Sequence, residues 1–214
     1  MQLTLLRLSA ILHIILWGVI IYNFYKNKRK NRSEALNIIR IYFFLVFFLD
    51  SFSVFADFYI SNAQFINYIY IPLEYTLLVL FLDKLQYSRQ FSIALYISIF
   101  VVLIYEISYS AIDHGYRNYN PIGGYLSSGG LIIISLYILS TIYKRVDFNV
   151  NLKSNSAFWF TFSILTINAL DLFATFIQAS NFISLSNDGY YLIGTSRNII
   201  KAILMTGYLI GVKV

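Results

Sequence analysis

Gly194 to Val212 is an apolar stretch of membrane-spanning length that nevertheless carries two cations, Arg197 and Lys201. They stand one helical turn apart and so share a face. An unpaired cation near the middle of a bilayer costs about 3 kcal/mol on insertion scales, so such residues turn to a protein interior and find acidic partners there. Asp50, Glu74 and Asp171, each inside another apolar stretch, are the acids this argument selects. Three carboxylates against two bases leave one over. A spare carboxylate at that depth takes up a proton or binds a cation or a cationic ligand. The chemistry expected is therefore ligand or ion binding, with ion pairs and hydrogen bonds that merely lock helices together as the structural alternative.

Helical spacing adds neighbours to these charges. Asp50, Ser53 and Asp57 fall on one stripe, Asn67, Tyr70 and Glu74 on a second, and Asn168, Asp171, Thr175 and Gln178 on a third. Ser9, His13 and Trp17 form a weaker line on the first apolar stretch. The candidate ligand- or ion-binding set is thus His13, Asp50, Glu74, Asn168, Asp171, Arg197 and Lys201, at a common depth when counted at about 1.5 Å per residue. Pro72, just before Glu74, is expected to kink its helix and free a backbone carbonyl beside the acid. His13 and His114 fall on different levels, so no histidine metal site is expected. With no activated nucleophile either, the chain is read as a non-enzyme without a cofactor.

The elements that must position these residues follow from composition. Hydrophobic residues make up 58% of the 214 and charged residues only 12%, against about 25% charged in soluble domains. The apolar runs are nearly contiguous, which leaves no room for a soluble domain. The expectation is one all-α, polytopic membrane domain over residues 1–214. Candidate spans, each near the ~20 residues a helix needs, run Leu3 to Tyr25, Leu36 to Tyr59, Gln64 to Leu82, Phe91 to Ser110, Gly124 to Tyr143, Ala157 to Gln178 and Tyr190 to Val212.

Seven spans can be tested by charge. If the N-terminus lies outside and the C-terminus inside, the odd-numbered loops face the cytoplasm and should be basic. Eleven of the sixteen Lys and Arg residues fall there, from Lys26 to Arg32, at Lys84 and Arg89, at Lys144, Arg145 and Lys153, and at Lys213. Arg117 is the one in an outer loop, and the stretch from Asp113 to Pro121 reads as a connector. The net charge of +6 thus reflects orientation, not a nucleic-acid surface. Tyrosines at span ends, such as Tyr22, Tyr25, Tyr59, Tyr109, Tyr143 and Tyr190, suit an interfacial belt. The Gly123-Gly124 and Gly129-Gly130 pairs suit close helix approach.

An internal repeat is also legible. Leu49-Asp50-Ser51-Phe52 and Leu170-Asp171-Leu172-Phe173 match, as do Tyr25-Lys26 and Tyr143-Lys144, which is a parallel three-plus-one-plus-three plan. Asp50 and Asp171 would be quasi-symmetric mates, and with a two-residue gap Glu74 lines up with Arg197, so that opposite charges would occupy equivalent positions. Small sugar transporters share that plan, but their proline-glutamine turn is missing. Microbial rhodopsins carry a retinal lysine in the seventh helix, where Lys201 lies. However, Arg197 stands one turn before it, where an acid would be expected.

The length, the minimal loops and the Pro72-Leu73-Glu74-Tyr75 motif resemble those of small, uncharacterised seven-helix bacterial inner-membrane proteins, some of which accompany sensor histidine kinases. That resemblance implies a multi-pass inner-membrane protein engaged in signal transduction, with a histidine kinase or other membrane partner and a small-molecule ligand. The connections between spans are too short to hold an output domain. A small-solute or proton-coupled transporter is the alternative, and a retinal photoreceptor a more distant one.

Overall fold

A computed structural model describes residues 2–27, 33–59, 66–112, 120–145, 152–179 and 187–214. The basic cluster 28–32, the connector 113–119 with His114 and Arg117, and the side chains of Asp57, Asn67 and Gln178 lie outside the described residues. Those described form α-helices, one 3-10 turn at 152–154 and no strand: α1 Gln2–Lys26, α2 Glu34–Tyr59, α3 Asn67–Asp83, α4 Arg89–Ile112, α5 Pro121–Arg145, α6 Ser156–Ala179, α7 Asn187–Leu204 and α8 Thr206–Lys213.

Helix starts follow from residues that serve the otherwise unpaired first N–H groups. The Ser33 hydroxyl accepts from the Leu36 N–H (3.2 Å) and the Ser88 hydroxyl from the Phe91 N–H (3.3 Å). Asn120 Oδ1 accepts from the Gly123 N–H at 3.0 Å, and Asn155 Oδ1 from the Phe158 N–H at 3.3 Å. Pro121 takes the first position of α5, where a missing N–H costs nothing.

Each sequence-expected span coincides with a helix, but five of the helices are long and apolar enough to cross a membrane: α1, α2, α4, α5 and α6. α3 is 17 residues long, and α7 carries Arg197, Asn198 and Lys201 within 18 residues, which lowers its hydropathy. The span expected to run unbroken to Val212 is divided at Met205. There the Thr206 hydroxyl donates to the Ile203 carbonyl at 2.7 Å, and Gly207 lets the backbone close onto the Ser163 side chain of α6.

α2 and α3 run in opposite directions, and α1 and α8 end side by side. Glu34 at the start of α2 pairs with Lys84 at the end of α3 (3.1 Å), and Asn27 at the end of α1 donates to the Val212 carbonyl of α8 (3.3 Å). The helices close into a ring in which α1 packs on α2, α2 on α3, α3 on α5, α5 on α6, and α6 on α7 and α8, which return to α1. α4 stands outside the ring against α3 and α5. At the end marked by Lys26, Lys84 and Lys213 the ring is filled by an aromatic core. Phe43 packs on Trp17, Phe24, Phe160 and Tyr208 at centroid distances of 5.0–6.2 Å, and all five are nearly inaccessible. The outward surfaces stay apolar, with Phe100, Ile107, Ile133 and Phe173 exposed, while Tyr22, Tyr25 and Tyr143 stand exposed near the basic end. That distribution fits a helical membrane protein, where apolar groups face lipid.

Candidate functional site

Above the aromatic core the ring is not filled. A cavity of about 140 Å³ is walled by α3, α4, α5, α6 and α7, and its ionisable lining is Glu74, Glu106, Asp171, Arg197 and Lys201. From the basic ends, at about 1.5 Å per residue, these side chains leave their helices some 15 to 25 Å along the bundle. Glycine sets two of its walls. Gly124 of α5 lies against Thr175 of α6, and at Gly130 an added Cβ would stand 2.8 Å from the Tyr75 hydroxyl of α3.

Asp171 is the hub of the charged side. Its Oδ1 accepts from Arg197 Nε at 2.8 Å and lies 2.7 Å from Arg197 Nη2, and its Oδ2 accepts from Lys201 Nζ at 3.1 Å. The single turn between Arg197 and Lys201 lets one carboxylate hold both, one cation per oxygen. Lys201 is deeply buried, and the Arg197 side chain keeps 36% exposure. Asn168, one turn below Asp171, is buried in the lining and donates to the Ile164 carbonyl at 2.8 Å.

The three acids selected from sequence do not share the bases equally. Glu74 lines the cavity and accepts the Tyr42 hydroxyl at 2.9 Å. Asp50 turns to α1, where its Oδ2 accepts the Trp17 indole N–H at 2.9 Å and lies 3.7 Å from His13 Nδ1. His13 and Asp50 thus form a separate group between α1 and α2 and are not among the cavity-lining residues. The reason is local: Trp17, one turn along from His13, presents a donor at the height of Asp50, and a neutral indole N–H satisfies a carboxylate without a second buried charge. Where α1 meets α7, Asn198 donates a hydrogen bond to the Ser9 hydroxyl at 3.1 Å.

Glu106 was not selected from sequence. It sits near the end of α4, lines the cavity and is only 2% exposed. Asn120, the cap of α5, donates to its Oε2 at 3.1 Å, while Oε1 has no hydrogen-bond partner among the described residues. Gly123 faces this carboxylate so closely that any side chain there would collide with it. The signal was present, since Glu106 is a lone acid within an apolar span. Its nearness to the expected span end at Ser110 made a solvated position equally consistent. Tyr42 had no signal beyond its place one turn from the buried face.

Comparison with protein-family models, curated proteins and solved structures finds no match to this chain.

Proposed function

We propose that the chain is a seven-span membrane protein, N-terminus outside and C-terminus inside, that binds a small polar ligand in the cavity and passes a helix shift to a partner protein. The observation that carries this reading is the cavity itself. It is a polar chamber among apolar-faced helices, with charged residues from four of its five walls. A bundle held together by ion pairs alone would close over Asp171, Arg197 and Lys201 and leave no space beside them. The seventh span gains support from those pairs, because the cations that lower its hydropathy turn to Asp171. The basic ends of α1, α3, α5 and α8 favour the stated orientation. A partner such as a membrane histidine kinase supplies the output, since the connections between helices are short.

A carrier is the second reading, and one observation favours it. Exchanging α1, α2 and α3 for α5, α6 and α7 maps the packing onto itself: α1 on α2 becomes α5 on α6, α2 on α3 becomes α6 on α7, and α1 on α7 becomes α5 on α3. That is the pattern of a parallel repeat, with α4 as the odd helix, and transporters place sites at such interfaces. Flux separates the two. The sensor reading expects liposomes containing the full chain to be tight to protons and small solutes, and a tagged chain to co-purify with a membrane kinase. Flux abolished by Glu74→Gln would replace it with the carrier.

A further inference from the structure

From the charge and hydrogen bonding of the cavity walls we infer that the ligand is a small organic cation, its ammonium group held by Glu106 and its body against the tyrosine wall of α3. This rests on the reading of the cavity as a ligand site and adds the chemical class. Three carboxylates and two bases line the space. Both bases are engaged by Asp171, one on each oxygen, so the positive side is already answered within the protein. Glu74 has the Tyr42 hydroxyl. Glu106 has one amide donor on Oε2 and, among the described residues, none on Oε1.

Oε1 lies against Gly123, so the carboxylate meets the cavity with a single donor to its charge; a buried carboxylate so poorly served is costly, and an ammonium N–H is the group that lowers the cost. The surroundings of Glu106 suit a cation in a second way. Tyr68, Tyr70 and Tyr75 of α3 line the cavity that Glu106 also lines. Ring faces attract ammonium groups, most strongly where water is excluded. Arg197 and Lys201 occupy the α7 wall, while Glu106 projects from α4, which packs against α3 and α5. A cavity of about 140 Å³ is close to the ~150 Å³ engineered cavity that holds benzene. The ligand is accordingly of about the size of a six-membered ring with one substituent.

The test uses three probes of matched shape, cyclohexylammonium, cyclohexanol and cyclohexanecarboxylate, titrated against the detergent-solubilised full chain with empty micelles as blank. Saturable binding of cyclohexylammonium at least about tenfold tighter than that of either other probe, weakened about tenfold or more by Glu106→Gln, is the expected result. Equal binding of cyclohexanol would mean that Glu106 carries its own proton, and preference for the carboxylate would mean that Arg197 and Lys201 govern the site. Either outcome overturns the cationic class and leaves the cavity a ligand site. An unchanged affinity in Glu106→Gln also overturns it, whereas failure of all three probes removes the ligand-site reading along with it. Should Glu106→Gln not fold, the ranking of the three probes on the unmodified chain decides alone.

Discussion

Asp171 holds two cations with its two oxygens, and what it contributes depends on what its loss would strand. In Asp171→Asn both Arg197 and Lys201 lose their carboxylate, and Lys201 is buried too deeply for solvent to take over. Breaking a buried pair from one side costs about 3–5 kcal/mol, and the lower end applies here because Arg197 is partly exposed. Lys201→Met alone should cost less, since Asp171 keeps Arg197. Adding Lys201→Met to Asp171→Asn should return at least half of the loss. Denaturant unfolding in detergent checks the series, and an Asp171→Asn penalty under about 1 kcal/mol would place the cluster with weak surface pairs. At this scale the sequence revealed the charges and not their partners. The turn between Arg197 and Lys201 announced a shared face and acidic partners, but which acid they meet depends on helix order, which single residues do not encode. Trp17 drew Asp50 away, and Glu106 escaped notice because depth near a span end is ambiguous by a turn.

The elements were more legible than the contacts. Runs of apolar residues bounded by Ser33, Ser88, Asn120-Pro121 and Asn155 place helix starts to within a few residues. The break at Met205 was not legible, because it arises where Thr206 bonds back to the end of α7 and Gly207 meets Ser163 of α6. Glycine pairs were read as close approaches, and the structure divides them. At Gly129 nothing lies within 4 Å of an added Cβ, whereas at Gly130 the Tyr75 ring stands at 2.8–3.4 Å. Tyr75 cannot easily withdraw, being buried and hydrogen bonded to the Ser98 hydroxyl at 3.0 Å. Gly129→Ala should therefore be neutral or stabilising by up to about 1 kcal/mol, from helix propensity. Gly130→Ala should destabilise by about 1–3 kcal/mol through overpacking. Thermal unfolding of the two variants gives the contrast, and in a Tyr75→Phe background the Gly130→Ala penalty should shrink. Equal effects at both glycines would mean that α3 and α5 do not meet at Tyr75.

For the molecule as a whole, ring closure and orientation are one problem. The order α1, α2, α3, α5, α6, α7 around the ring gives α1 and α7 a shared interface, which closes the ring behind the α7 wall of the cavity. If the ring and α4 together span a bilayer seven times, every basic helix end must lie on one side, and the connector after α4 must lie on the other. With five helices meeting the length and hydropathy of a span, an alternative in which α3 and α7 merely fill the interior would need their flanking loops to share a side. The absence of cysteine makes the distinction direct, because single introduced thiols report without background. Tyr87→Cys, at the 84% exposed turn between α3 and α4, should react with a membrane-impermeant maleimide in inverted vesicles and be silent in intact cells. His114→Cys, in the connector after α4, should show the opposite pattern. Ser33→Cys, before α2, should label from the same side as Tyr87→Cys. If α3 does not cross, Ser33→Cys and Tyr87→Cys separate, since α2 alone then lies between them. Their agreement requires that α2 and α3 form a full hairpin, which in turn carries Glu74 to the depth of Asp171.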